Sequence, residues 1–335
     1  MSSHHPSKPP PVYQPPSTGP LSHLPPPWVP YAELLRITTP LGGTTYFYYP
    51  FLFGTLFAAI LSPACIPPLH LLVLNAHLLL SAFMARNAAI AWNDLLDIHY
   101  DRQVERCRLR PLARGAISPR DGAIFAAALF ALWVAIMAAL PDAQNHLPYT
   151  IPYVLCNMLY PLSKRVTYYT PACIGFTIAI GVFIGNSALD VDVAAVSSAH
   201  PSRERAAIWC LYAATGTWTI VYEGTYSFQD VRDDLKAGIM SLAVGHRHHA
   251  KSLLGSAAAL QVGLLGLVGW LVQASPVYFV GACVGAGLSL GWMIWSVDLG
   301  KPEDCWWWFY NGHWFVGASV GGGLLGEFLE RRYRG

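Results

Sequence analysis

The stretch NDLLDIHYD occupies residues 93–101 at the end of a long apolar segment, and a second acidic stretch, DVRDD, occupies residues 230–234 at the end of another. Each residue of an α-helix advances about 100° around the axis, so side chains four residues apart lie on nearly the same face. Each stretch therefore presents a ladder of polar side chains on one face: Asn93, Asp97 and Asp101 in the first, and Asp230 and Asp234 in the second.

Carboxylates on one helix face beside a membrane interior are costly unless a cation compensates them. A hard divalent cation is the simplest candidate. Mg²⁺ in particular takes one or two carboxylates, keeps several waters and binds substrate phosphate oxygens. Two such ladders facing each other would hold a metal ion and a diphosphate between them.

The composition indicates a membrane protein. Hydrophobic residues make up 54% of the chain and charged residues 12%, whereas soluble domains carry about 25% charged residues. Apolar segments of about 20 residues are long enough to span a bilayer. They predict an all-α integral membrane fold of about nine helices, at residues 41–62, 69–92, 121–140, 146–162, 168–188, 206–226, 252–273, 276–297 and 306–328. The fourth is the weakest of these, because it contains Pro148, Pro152 and Pro161.

The distribution of basic residues predicts the orientation. Of the 21 Lys and Arg, 15 fall in the N-terminal segment and in the loops after the second, fourth, sixth and eighth predicted helices. Five fall on the opposite side, and Arg86 lies within the second helix. The positive-inside rule therefore places both acidic stretches on the cytosolic side.

Residues 1–35 are rich in Pro, Ser and His and predict a disordered cytosolic tail, followed by a membrane domain over residues 36–330. The tail resembles neither a secretory signal nor an Arg-rich mitochondrial presequence. This favours the endoplasmic reticulum or Golgi membrane over the mitochondrion. The seven cysteines show no metal-binding spacing, and we expect packing roles and no disulfides.

These stretches resemble the UbiA superfamily of intramembrane prenyltransferases. Residues 86–118, RNAAIAWNDLLDIHYDRQVERCRLRPLARGAIS, look like its first aspartate-rich region, NDxxDxxxD followed by a basic RPL segment. YSFQDVRDDLKAGIMSLA at 226–243 resembles its second. Supporting pieces are Leu41-Gly42 after Pro40, YPLSKRVTYYTP at 160–171 and CWWWFYNGHWFVG at 305–317. The resemblance spans roughly residues 36–328.

The resemblance implies nine transmembrane helices around a central cavity, with the aspartate regions at its cytosolic mouth. It also implies Mg²⁺-dependent transfer of a prenyl group from a prenyl diphosphate to an aromatic carbon. Asn93, Asp97, Asp101, Asp230 and Asp234 would face the metal, the four aspartates being the catalytic set. Asp94 and Asp233 match family positions but lie on neighbouring stripes, so they would orient the ligands.

Basic residues on the same side are candidates for the diphosphate: Arg110, Arg114, Lys164 and Arg165. Any single Arg of the loop after the second helix is equally well explained as a positive-inside anchor. Arg86 would either neutralise the first ladder or hold an acidic group of the acceptor. Asn311 is a polar residue within a membrane segment and is either a substrate contact or an interhelical hydrogen-bonding group.

Two other clusters have simpler explanations. His246, His248 and His249 follow the second acidic stretch, and solvated loop histidines are favoured over metal ligands there. Trp306, Trp307 and Trp308 are typical of an interfacial aromatic belt, with cavity lining as the lesser alternative.

The first region is most similar to fungal enzymes that prenylate polyketide-derived phenolic acids in meroterpenoid biosynthesis. The predicted function is farnesyl transfer to such an acid, with prenyl diphosphate, aromatic acceptor and lipid bilayer as partners and no nucleic acid. The alternatives are a 4-hydroxybenzoate polyprenyltransferase of quinone biosynthesis and a terpene cyclase. A transporter is a further alternative, because intramembrane carboxylates also serve cation pathways and the two acidic stretches look like a weak internal duplication.

Overall fold

The computed structural model describes residues 12–62, 66–191 and 202–334. Regular structure in these residues is helical. The α-helices are α1 (Val29–Leu34), α2 (Pro40–Leu61), α3 (Pro68–Leu96), α4 (Ile98–Asp101), α5 (Pro119–Ala138), α6 (Ala143–Leu159), α7 (Thr170–Ala179), α8 (Gly181–Ser187), α9 (Ser202–Tyr226), α10 (Val231–Ala237), α11 (Leu242–His246), α12 (Ala250–Leu271), α13 (Pro276–Tyr278), α14 (Gly285–Ser296), α15 (Pro302–Trp307) and α16 (His313–Arg334).

Six helical segments of the described chain are long and apolar enough to cross a membrane, as expected for a multi-pass protein. They are Gly43–Leu61, Pro68–Leu96, Pro119–Ala138, Thr170–Ser187, Ala250–Leu271 and Pro276–Ser296. The other three predicted spans coincide with α6, α9 and the segment from α15 to α16. The all-α membrane fold is therefore confirmed, and nine as the number of crossings stays a prediction. The proline-containing fourth span forms α6 despite Pro148 and Pro152 within it.

Two π-helical turns interrupt the last helices, at Phe279–Val284 and at Trp308–Gly312. A π turn adds a residue to the helix and often marks a functional site. The second turn is held by one contact from α9 and one within its own segment: the Tyr222 hydroxyl donates to the Gly312 carbonyl at 2.8 Å, and the His313 ring contacts the Phe309 carbonyl at 3.0 Å. It is thereby fixed against α9.

The predicted disordered tail is corrected for residues 12–35. Pro20–His23 and Pro26–Trp28 form 3₁₀ turns that lead into α1, where Leu34 is fully buried. The Tyr13 hydroxyl donates to Glu33 at 2.9 Å, and Arg114 pairs with the same carboxylate at 2.5 Å. Residues 12–35 are therefore ordered by a few buried apolar groups and one ion pair, although their composition is typical of a disordered segment. Residues 1–11 lie outside the described part of the chain.

Small residues allow the last helices to pack closely. A Cβ added to Gly323 of α16 would lie 2.4 Å from the backbone nitrogen of Ala282. We expect Gly323→Ala to destabilise the protein by about 1–3 kcal/mol, because the backbones would have to separate. Gly322→Ala is the matched control, since a Cβ there meets nothing within 4 Å. Thermal denaturation in detergent should show a lower midpoint for Gly323→Ala only, and equal midpoints for the two variants would contradict this packing.

Candidate active site

The two acidic stretches line one cavity of about 360 Å³. The structure brings together nine of the side chains singled out from the sequence, namely Arg86, Asn93, Asp94, Asp97, Asp101, Arg110, Lys164, Asp230 and Asp234. They come from α3, α4, the two segments that follow α4 and α6, and the junction of α9 with α10. Carboxylates and cations thus meet at one place although they are up to about 150 residues apart in sequence.

The first stretch runs through the end of α3 into α4. Asp97 interrupts the helix, yet its backbone N–H donates to the Asn93 carbonyl at 3.0 Å, and that of Asp101 donates to the Asp97 carbonyl at 2.8 Å. The i to i−4 bonds therefore continue across the break and keep the ladder on one side. Asp97 and Asp101 are buried, whereas Asn93 is half-buried.

The second stretch lies where α9 gives way to a 3₁₀ turn, Ser227–Gln229, and then to α10. Asp230 precedes α10, and the Asp234 N–H donates to the Asp230 carbonyl at 2.8 Å. The Met240 N–H donates to the Lys164 carbonyl at 3.0 Å, which ties the segment after α10 to the segment after α6. The basic segment is therefore held beside the acidic one.

Each acidic stretch is paired with cations. Arg110 contacts both Asp94 and Asp101 at 3.0 Å, and Lys164 forms an ion pair with Asp97. Two arginines that were not singled out from the sequence also take part. Arg36 pairs with Asp94 at 2.7 Å, and Arg106 makes a two-pronged contact with Asp230, at 3.1 Å through Nε and 2.5 Å through Nη2.

The sequence marked Arg36 and Arg106 only by their position in predicted cytosolic segments. The positive-inside rule already accounted for basic residues there. Asp94 was expected to orient the metal ligands, and its oxygens bond to Arg36 and Arg110. Arg110 also pairs with Asp101, and the orienting role of Asp94 stays a prediction.

Burial makes this carboxylate group receptive to a further cation. It raises the pKa of Asp101 to about 6 and that of Asp234 to about 6, because a low-dielectric site disfavours the charged form. The Asp97 Oδ1 atom is buried and has no hydrogen-bond partner among the described residues. A free buried carboxylate oxygen beside other acidic side chains fits a hard cation such as Mg²⁺.

The described residues contain no group of three or more His, Cys, Asp or Glu that is already arranged to hold a metal ion. Arginine and lysine occupy several of the carboxylate oxygens instead. Mg²⁺ commonly completes its coordination with water and phosphate oxygens, so a fully formed protein cage is not required. The residues present therefore fit a metal that arrives with an anionic substrate.

Four predicted residues lie outside this cavity. Arg114 pairs with Glu33, Arg165 donates to the Leu96 carbonyl at 3.0 Å, and Asn311 donates to the Trp307 carbonyl at 3.1 Å within its own helix. Asp233 accepts from the Glu105 backbone N–H at 3.0 Å. These contacts use the polar groups locally, and none of the four residues is part of the cavity lining. A substrate contact of Arg114, Arg165 or Asn311 stays a prediction.

Aromatic rings form the apolar part of the cavity wall. The ring of Phe309 lies 4.5 Å from that of Tyr226 and 5.7 Å from that of Tyr46, all three lining the cavity. Trp306 stacks on Tyr310 at 5.5 Å, and both line it as well. Trp306 is thus a cavity-lining residue, which was the lesser of the two alternatives for the three tryptophans. The π turn at Trp308–Gly312 carries Phe309 and Tyr310 to this wall.

Three helices, α2, α3 and α9, contribute further cavity-lining residues outside the acidic stretches. Arg86 is buried on α3, and its Nη1 contacts the Leu35 carbonyl and the Asn87 side chain at 3.4 Å each. Gly43 of α2 makes room for it, since a Cβ there would lie 2.3 Å from the Arg86 Nε. On α9, Glu223 also lines the cavity, and no sequence motif marked it.

The comparisons with known proteins agree with this geometry. The UbiA prenyltransferase family model matches residues 49–316 of the chain. The chain belongs to the UbiA prenyltransferase family.

Relatives of this UbiA chain include prenyltransferase stbC of Stachybotrys bisbyi, 32% identical over 94% of this chain and 92% of the relative. Polyprenyl transferase ausN of Aspergillus calidoustus is 37% identical over 79% of this chain and 70% of the relative. The mitochondrial 4-hydroxybenzoate polyprenyltransferase of Schizosaccharomyces pombe is 32% identical over 88% of this chain and 79% of the relative. The resemblance to fungal prenyltransferases is thus confirmed.

Solved structures share the fold. A UbiA homolog from Aeropyrum pernix matches with a TM-score of 0.63 and 20% identity, over 86% of this chain and 98% of the other. A UbiA homolog from Archaeoglobus fulgidus bound to GPP and Mg²⁺ matches with a TM-score of 0.60 and 17% identity, over 89% of this chain and 99% of the other. The UbiA chain described here is therefore a membrane prenyltransferase with the helical architecture of these proteins.

Proposed function

We propose that this prenyltransferase transfers a farnesyl group, in a Mg²⁺-dependent reaction, to an aromatic carbon of a phenolic polyketide acid in meroterpenoid biosynthesis. The observation that carries the proposal is the meeting of both acidic stretches, five cationic side chains and an aromatic wall in one cavity. The relatives named as fungal prenyltransferases support the class of reaction. The Archaeoglobus fulgidus structure was solved with a prenyl diphosphate and Mg²⁺, which supports the donor and the metal.

Asn93, Asp97, Asp101, Asp230 and Asp234 would hold the metal, and Asp97 offers it the free Oδ1 atom. Bound Mg²⁺ would neutralise the diphosphate leaving group as a Lewis acid. Lys164, Arg106 and Arg110 lie beside these carboxylates and would hold diphosphate oxygens through charge-assisted hydrogen bonds. As the allylic C–O bond breaks, its electron pair leaves with the diphosphate.

The aromatic wall would protect the allylic cation from water and attract it through the faces of Tyr46, Tyr226 and Phe309. The phenolic ring would then attack the cation through carbon. We assign Arg86 to the acidic group of the acceptor, because it lines the cavity and has no carboxylate partner among the described residues. This proposal takes one of the two roles that its sequence position allowed.

The proposal places the membrane domain at residues 36–330 in an endoplasmic reticulum or Golgi membrane. The cavity would open to the cytosol, as the positive-inside rule predicts. A prenyl diphosphate made in the cytosol would then enter from that side.

The test uses membranes that contain the protein, labelled prenyl diphosphates of increasing length, Mg²⁺ and a panel of phenolic acids, with products identified by mass spectrometry. We expect a product heavier than the phenol by one farnesyl unit, its formation abolished by EDTA and restored by excess Mg²⁺. Product formation that survives EDTA would overturn the metal dependence. A hydrocarbon formed without any phenol would instead identify a terpene cyclase.

A second candidate is prenylation of 4-hydroxybenzoate in quinone biosynthesis, which the Schizosaccharomyces pombe relative favours. The same assay distinguishes it, because 4-hydroxybenzoate would then be the preferred acid and a longer polyprenyl diphosphate the preferred donor. Mitochondrial localisation of a tagged protein would support this candidate.

A further inference from the structure

Glu223 of α9 is a cavity residue that the proposed mechanism leaves unused. It is half-buried and lines the cavity, but it lies outside both acidic stretches. In the described part of the chain its carboxylate makes no hydrogen bond and no ion pair, although Lys164 lines the same cavity. Taking a carboxylate out of water without a partner costs several kcal/mol. A ligand that donates a hydrogen bond to the Glu223 carboxylate would offset this cost.

Glu223 and Arg86 both line the cavity from outside the two ladders. Glu223 belongs to α9, whereas Asp230 follows the 3₁₀ turn at Ser227–Gln229. Arg86 precedes Asn93 by seven residues on α3, so it lies about 10 Å further back along that helix at about 1.5 Å per residue. A cation and a carboxylate therefore face one cavity from different helices, and in the described part of the chain they make no ion pair with each other.

The neighbours of Glu223 are those of an acceptor site. Tyr46 and Tyr160 line the same cavity as Glu223 and bring two hydroxyl groups to it. The ring of Tyr46 also contacts Phe309 of the aromatic wall, where an allylic cation would be held. A hydroxylated ring bound beside these side chains would lie between the reacting carbon and the carboxylate.

We propose that Glu223 is the catalytic residue that accepts the hydrogen bond of the acceptor's phenolic hydroxyl and takes its proton as the ring attacks. This inference rests on the proposed aromatic transfer. Proton loss raises the electron density of the ring, and a well-placed general base contributes about 10²- to 10⁴-fold to the rate. The acceptor class that fits both ends is a ring carrying a carboxylate for Arg86 and a phenol for Glu223.

The step balances as follows in atoms and electrons. The allylic C–O bond breaks, and its electron pair leaves with the diphosphate. A C–C bond forms between the allylic carbon and the ring while the phenolic proton passes to Glu223, which leaves a cyclohexadienone. Loss of the ring proton to the diphosphate restores the aromatic ring, and the oxygen takes its proton back from Glu223.

The test compares Glu223→Gln with wild type in two assays: prenyl transfer to the phenolic acid, and slow Mg²⁺-dependent release of diphosphate without acceptor. We expect transfer to fall at least about 100-fold, the low end for a general base, with diphosphate release little changed. Glu223→Asp should restore part of the transfer. Glu303→Gln, a change at an exposed glutamate of α15, is the matched control and should behave as wild type.

An acceptor whose phenol is replaced by a methyl ether adds a readout that a structural role would not move. Wild type and Glu223→Gln should use this ether at equal, low rates. Normal transfer by Glu223→Gln to the free phenol would overturn the inference, as would equal loss of transfer and of diphosphate release. If wild type itself releases diphosphate but prenylates no phenol, the proposed function fails instead.

Discussion

Asp97→Asn is expected to lower prenyl transfer by about 10³-fold, more than the 10- to 100-fold typical of outer-shell residues at metal sites. Asp97 is almost fully buried, and its Oδ1 atom has no partner within the described residues. Asparagine keeps the shape of the side chain but removes the negative charge that a hard cation requires. The loss should appear in steady-state transfer at saturating donor, together with a higher Mg²⁺ requirement.

Asp233→Asn is the matched control for this change. Asp233 belongs to the second acidic stretch, but it accepts from the Glu105 backbone and from Lys236 at 3.4 Å and lies outside the cavity lining. We expect near-normal transfer from this variant. The assignment of the first ladder to the metal fails if Asp97→Asn retains most of its activity in protein that is still folded in membranes.

Arg110→Met is expected to destabilise the fold by about 3–5 kcal/mol, the typical cost of removing one partner of a buried ion pair. Arg110 contacts Asp94 and Asp101 at 3.0 Å each, and the Asp94 side chain is only 2% exposed. Methionine fills a similar volume, so the cost comes mainly from Asp101, which loses its cation, and from Asp94, which keeps only Arg36. Thermal denaturation in detergent should show a clearly lower midpoint.

Two further variants identify the cause of this loss. Adding Asp101→Asn to Arg110→Met should recover part of the stability, because Asp101 has no other ion-pair partner in the described part of the chain, whereas Asp94 keeps Arg36. Arg106→Met should cost less than about 1 kcal/mol, since the Arg106 side chain is 38% exposed and more open to water. Equal midpoints for Arg110→Met and wild type would rule out this pair as a structural element.

The fold was predictable because membrane helices depend on local composition. A bilayer supplies no hydrogen bonds to the backbone, so apolar segments of about 20 residues must form helices wherever they occur. The ladders were predictable for a similar reason, since four-residue spacing fixes a helix face without any tertiary contact. The ordered N-terminal segment was missed, because its order depends on the distant Arg114.

The basic residues illustrate what remained open. Arg36 and Arg106 looked like cytosolic anchors, and Arg114 was a candidate for the diphosphate. Arg36 and Arg106 instead bond to carboxylates of the acidic stretches, and Arg114 bonds to Glu33. A long flexible side chain can reach in several directions from one backbone position. The choice among partners is therefore made by the packing of segments that are distant in sequence.

The sequence by itself determined the helical membrane architecture, the two carboxylate ladders and the resemblance to the prenyltransferase family. These properties follow from composition and from spacing within single helices. Only the tertiary structure decided which cations meet which carboxylates, and that Glu223 shares a cavity with Arg86 and an aromatic wall. Those arrangements join residues from different helices, and no local pattern specifies how separate helices come together around a common cavity.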